Sequence, residues 1–84
     1  MNSFIPEIDL HYAHPSDTRR LIDELITEAH TRGIERVRII HGKGTSERKY
    51  QVYRYLEQDP RVYGYDDDAG NWGATIVELI VDGT

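Results

Sequence analysis

A two-layer α/β sandwich, with a four-stranded mixed sheet and two helices on one face, is the fold class this 84-residue chain predicts. Three observations lead to it. Four short stretches are apolar or alternate apolar with polar, two stretches between them repeat at the helical period, and turn-forming residues fall at the junctions. The resulting order is strand, helix, strand, helix, strand, strand. Helical crossovers between neighbouring parallel strands are right-handed, which puts both helices on the same sheet face and leaves the other face partly open.

The first strand is expected around Ile8-Asp9-Leu10-His11, where apolar and polar residues alternate, with Phe4-Ile5 just ahead of it. His14-Pro15-Ser16-Asp17 supplies a break, a candidate N-cap and an early acid for the first helix. Its apolar stripe is Leu21, Ile22, Leu25, Ile26 and Ala29, and Gly33 suits its C-terminal stop. Arg36 to Ile40 is short and rich in β-branched residues, so it is read as the second strand. A second helix starts near Thr45 or Ser46 and ends before Pro60, with Val52 and Leu56 on its buried side. Arg61 to Asp66 is the third strand, an acidic loop follows over Asp67 to Gly73, and Ala74 to Val81 is the closing strand. The whole chain, 1–84, is then one domain with its core over about 7–81, because this length leaves no room for a second core.

The chain has no cysteine, so neither a disulfide nor a thiolate–metal site braces it. The stretch after Met1 lacks the apolar run of a secretory signal, since Asn2, Pro6, Glu7 and Asp9 interrupt it. No run reaches the roughly 20 apolar residues of a membrane span. A cytoplasmic protein without a membrane partner is therefore expected. Net charge is −5, but the charge is unevenly placed. Between Arg32 and Arg54 lie seven of the ten Lys and Arg residues, opposed only by Glu35 and Glu47. A basic region on an acidic body suits a polyanion at one face, and equally suits an ordinary solvated surface.

Two motifs carry candidate chemistry. On a strand, Asp9 and His11 at i and i+2 point the same way, so the carboxylate can orient the imidazole for proton transfer or share a divalent metal such as magnesium with it. Alternation alone also produces such polar pairs. The second motif, His41-Gly42-Lys43-Gly44, lies where the second strand turns into the second helix. Backbone N–H groups of a glycine turn and a helix N-terminus favour an anion, and Lys43 adds a positive charge; the plain alternative is a tight turn. The motif lacks the spacing and the Lys-Ser/Thr ending of a Walker loop. Both motifs sit at the C-terminal ends of parallel strands, where ligands gather in open α/β sheets. Trp72 is read either as a base-stacking group or as cover for the sheet edge; His14 and His30 are read as helix-end residues, and most of the six tyrosines as packing.

Three blocks in order, Ile8-Asp9-Leu10-His11, Ile40-His41-Gly42-Lys43-Gly44-Thr45 and Gly73-Ala74-Thr75-Ile76-Val77-Glu78-Leu79, resemble the Smr (small MutS-related) domain. The resemblance covers about Glu7 to Ile80. It implies a sandwich similar to the C-terminal domain of translation initiation factor three, and nucleic-acid binding, with nicking or RNA-cleaving endonuclease activity in several members. The family's Asp and His map onto Asp9 and His11, and its glycine-lysine turn onto His41, Gly42, Lys43 and Gly44. The chain departs from the family at Tyr12 and Ser46, where glycine is common, and at Lys49, where arginine is common.

The leading expectation is an endonuclease for RNA or DNA. In it His11 and His41 form an acid–base pair, Asp9 orients His11, and Gly42, Lys43 and Gly44 hold the phosphate, with Arg38, Arg48 and Lys49 along the flanking backbone. The alternative is a non-catalytic RNA- or DNA-binding module on the same turn. A protein-interaction domain, suggested by the net acidity, is the third reading. Separately, so short a basic strip is expected to need a protein partner or a ribosome-like surface to find its target.

Overall fold

The computed structural model describes residues 5–43 and 46–81, with backbone alone at 71 and 72. Gly44 and the helix start at Thr45 therefore lie outside the described residues, as does the Trp72 side chain. The elements are β1 (Glu7–Asp9), a single 3-10 turn (Pro15–Asp17), α1 (Thr18–Thr31), β2 (Arg36–Ile40), α2 (Ser46–Glu57), β3 (Val62–Asp68) and β4 (Asn71–Leu79). They form one mixed sheet in the order β1-β2-β4-β3. β1 runs parallel to β2 with Ile8 opposite Ile39, and β4 is antiparallel to both its neighbours. The expected sandwich is what forms.

Side-chain parity explains the layering. Val37 and Ile39 of β2 and Val77 and Leu79 of β4 point to the same side, where Ile22, Ile26 and Ala29 of α1 and Val52 and Leu56 of α2 cover them. Leu10 closes this core just past β1. Alternate residues Arg36, Arg38, Glu78 and Glu7 occupy the other face, where Arg36 pairs with Glu78 at 3.4 Å and Arg38 with Glu7 at 3.0 Å. The open face is thus a lattice of ion pairs.

α1 ends as expected. Gly33 takes φ +72, and bonds from Gly33 N to His30 O and from Ile34 N to Ala29 O close the last turn. At the other end, Asp17 occupies the N-cap position without a side-chain bond, while His14 Nδ1 accepts from Ser16 N at 3.1 Å. Arg61 ties the start of β3 to α1, donating to Asp23 and Thr27 at 2.8 Å each and to Asp59 at 2.7 Å. Its two carboxylate partners hold its charge firmly in place.

Two expectations need correction. The acidic stretch Asp67 to Gly73 is not a loop: β3 runs to Asp68 and β4 begins at Asn71, leaving Ala69-Gly70 as a tight turn. The acids are tolerated in a strand because β3 is an edge strand, bulged at Val62/Gly64 and again at Asp67/Asp68. β1 is also shorter than expected, ending at Asp9, so His11 lies in a turn rather than on the strand.

Ile39 is fully buried in β2, at the centre of the covered face. Ile39→Ala is expected to destabilise the domain by about 2–5 kcal/mol, read as a shift in the chemical denaturation midpoint with an unchanged slope.

Candidate functional site

The parallel pairing of β1 and β2 sends both chains off the same sheet edge, and their exits are bonded together. Leu10 N donates to Ile40 O at 2.7 Å. Beyond that point the first chain turns: Ala13 N donates to Leu10 O at 3.0 Å, and the Asp9 carboxylate accepts the His11 backbone N–H at 2.8 Å. Asp9 therefore fixes the backbone of His11, and the expected contact between carboxylate and imidazole is replaced by this one. The reason is the early end of β1, which removes the strand geometry that a same-face pair needs.

The second chain leaves β2 through Gly42 at φ +94, a conformation suited to glycine. The N–H groups of His41 and Gly42 both donate to Gly73 O at 2.9 Å, which binds this turn to the start of β4. The absence of a side chain at Gly42 matters for a second reason. A Cβ there would stand 3.1 Å from His11 Cδ2. The exposed imidazole of His11 is thus seated against the backbone of the second motif, and Lys43 follows at the surface.

His41 points the other way. Continuing the parity of Val37 and Ile39, it turns under the helices and is only 5% exposed. Its Nδ1 lies 3.2 Å from Gly42 O and its Nε2 3.0 Å from Thr75 Oγ1. A carbonyl oxygen only accepts, so Nδ1 carries the proton and Nε2 accepts from the Thr75 hydroxyl. Burial lowers the imidazole's pKa from its ordinary value, and the nearby Lys49 charge adds to this; the Gly42 bond and Asp67 oppose it. The structure therefore does not bring His11 and His41 together as two solvent-facing imidazoles.

The cations divide as clearly. Arg38 lies on the open face, held by Glu7 and by Asp68 at 3.0 Å each, with its charge stabilised first by the Glu7 bond. Arg48 reaches back across the edge and donates to the carbonyls of Leu10 and Ala13, the latter at 3.1 Å. It braces the first turn from α2. Lys49 pairs with Asp67 at 3.0 Å, and Asp67 also accepts from Tyr53 Oη at 2.8 Å. Those two bonds lower the Asp67 pKa, while the bond to Asp67 raises that of Lys49. Among the described residues, no group of three or more His, Asp or Glu side chains is placed to hold a metal ion.

Sequence reasoning missed Thr75, Tyr53, Asp67 and the Gly73 carbonyl as parts of this edge. Parity could have found Thr75, which shares a face with Val77 and Leu79, and likewise the inward turn of His41. Arg48 was read as a phosphate contact, and helical spacing could have found its inward role instead, since it lies four residues before Val52 and eight before Leu56 on the same stripe.

Two predictions follow from this geometry. Arg48→Ala is expected to destabilise the domain by about 1–3 kcal/mol, because two carbonyls lose a charged donor, and Arg48→Lys is expected not to restore it. Thermal unfolding of the two variants checks this. For His41 the folded value lies below the unfolded 6.5, so its contribution is present above that pH. It is lost as pH falls through the lower folded value, since the unfolded chain binds the proton first. From about pH 7.5 to about 5.5 the wild-type protein should lose more stability than His41→Asn, measured by denaturation at each pH.

The sequence profile of the Smr domain matches residues 8–80. The endonuclease MutS2 of Caldicellulosiruptor bescii is 33% identical over 75 residues, covering 86% of this chain and 10% of that protein. The endonuclease MutS2 of Pelotomaculum thermopropionicum is 31% identical over 77 residues, covering 88% of this chain and 10% of that protein. This chain thus spans about a tenth of the length of the curated relatives it matches. Among solved structures, the Smr domain of Thermus thermophilus MutS2 superposes with a TM-score of 0.85 at 29% identity, covering 90% of this chain and 99% of that one. YdaL, a stand-alone small MutS-related protein from Escherichia coli, gives 0.83 at 26% identity, covering 92% of this chain and 68% of that one. Profile, relatives and fold agree over nearly the whole chain, which belongs to the Smr domain family.

Proposed function

We propose that this domain binds nucleic acid along the edge built from residues 9–13, the 41–43 turn and the start of α2, and cleaves a phosphodiester there with His11 moving the proton. The observation that carries the reading is the seating of the His11 ring on Gly42, where a Cβ would stand 3.1 Å from the ring. It joins the two motifs at a single exposed imidazole. Kinship with proteins named endonuclease MutS2 supports the same reaction class.

On RNA the substrate supplies its own nucleophile. His11 takes the proton from a ribose 2′-hydroxyl, and the 2′ oxygen forms a bond to phosphorus as the bond from phosphorus to the 5′ oxygen breaks. The leaving 5′ oxygen takes a proton from water, giving a 2′,3′-cyclic phosphate and a 5′-hydroxyl. Lys43 offsets the phosphate charge. Asp9 positions His11 through its backbone. His41, neutral and buried, positions the turn rather than exchanging protons with substrate. Lys49 lends charge to the rim, whereas Arg48 and Arg38 serve the fold. DNA lacks the 2′-hydroxyl, so cleavage there needs an activated water, a task for which a divalent cation such as magnesium is suited.

The withdrawal of His41 from solvent favours one alternative, a binding module without chemistry. Labelled single-stranded RNA and supercoiled plasmid, incubated with magnesium and with chelator, separate the two. The wild-type protein is expected to cleave the RNA even with chelator. His11→Ala should lose about 100-fold or more in rate while still binding. Lys43→Ala should weaken binding and lower its salt slope by about one. Cleavage at the wild-type rate by His11→Ala would remove the proposed role, and binding that needs Lys43 without any cleavage would establish the module.

A further inference from the structure

We propose that Tyr12 is a stacking platform for one unpaired nucleobase, and that this domain consequently prefers single-stranded nucleic acid to duplex at the edge described above. The inference rests on the proposed function in one respect, that a nucleic-acid backbone lies along that edge.

Tyr12 is 90% exposed, more than any other large apolar side chain among the described residues. Leaving so much ring in water forgoes burial that would stabilise the fold. The ring is nevertheless not unsupported. Its centroid lies 4.5 Å from that of His11 at an interplanar angle of 31°, a tilted ring contact. His11 in turn rests on Gly42. The imidazole thus meets both the Gly42 backbone and the Tyr12 ring, while Tyr12 leaves most of its own surface to solvent.

The backbone that carries the ring is also anchored. The residues on either side of Tyr12 are braced, His11 by the Asp9 carboxylate and Ala13 by its bond to Leu10 O and by Arg48. An aromatic ring on a fixed turn offers contact area with little loss of freedom on binding. Of the other exposed tyrosines among the described residues, Tyr63 at 76% lies near the start of β3, at the opposite end of the sheet, and Tyr50 at 56% meets Tyr53 edge-on along α2, with ring centroids 6.3 Å apart.

Such a ring takes a base by its face. In a duplex both faces of each base are already stacked and only the edges are reachable from the grooves, so an intact duplex has nothing to place on Tyr12. An unpaired base fits whatever its identity, because every base has a π face. The ligand class is therefore single-stranded RNA or DNA, recognised with little sequence preference. A base resting on Tyr12 sets its neighbouring phosphate beside His11 and Lys43, which makes Tyr12 a positioning residue.

The test compares an end-labelled uridine oligomer with an oligomer of the same length made only of abasic sugar-phosphate units, by fluorescence anisotropy at one salt concentration. The wild-type protein should bind the uridine oligomer more tightly. Tyr12→Ala should weaken that binding by about 5- to 150-fold and leave the abasic oligomer unaffected, with Tyr12→Trp restoring it. Thermal unfolding should be the same for all three proteins, since the side chain is exposed. If Tyr12→Ala binds uridines as the wild type does, or weakens both oligomers equally, the platform is overturned and the proposed function stands. If the wild-type protein binds neither oligomer, both are overturned.

Discussion

The parallel register of β1 and β2 is the constraint on which the candidate site depends. With Ile8 opposite Ile39 and Leu10 bonded to Ile40, residues about 30 positions apart in sequence leave the sheet side by side. A shift of one residue would exchange the faces of every side chain on β1 and carry Asp9 under the helices. The buried set on that face, Leu10 included, excludes such a slip. Core packing and site geometry are therefore one requirement, and the short β1 is adequate because α1 and the Arg48 brace hold its exit.

Charge follows the same division of labour. Seven of the ten basic residues fall between Arg32 and Arg54, yet the structure engages many of them in holding the fold. Arg36 and Arg38 are paired on the open face, Arg48 binds main-chain carbonyls, and Lys49 lies against Asp67. A basic stretch of sequence is thus much less basic as a surface. The net charge of −5 is correspondingly a poor guide to what the edge attracts, because the ion pairs of the open face largely cancel within a few ångströms.

The sandwich and its order were legible because each element carries a pattern with one period: Ile22, Ile26 and Ala29 for α1, Val37 and Ile39 for β2, and Gly33 for the stop between them. Both strands of the β3–β4 hairpin were legible too, but not the tight turn between them, since Asp67 and Asp68 oppose strand propensity and only pairing to β4 overrides it. At the site, the proximity of the two motifs was legible from the crossover rule alone. The separate fates of His11 and His41 were not read, although parity held the answer for His41. The turn of residues 10–13 had no such signal, because its shape comes from Asp9, Arg48 and Leu10 acting on backbone atoms.

The sheet's two borders have a consequence for how the domain keeps company. β1 offers three residues to any further strand, and β3 is bulged twice and carries Asp66, Asp67 and Asp68. Short, kinked or charged borders are poor templates for pairing with another chain. Copies of the domain crowded together can therefore stand close without zipping their sheets together. High local concentration therefore gives these borders little to pair with.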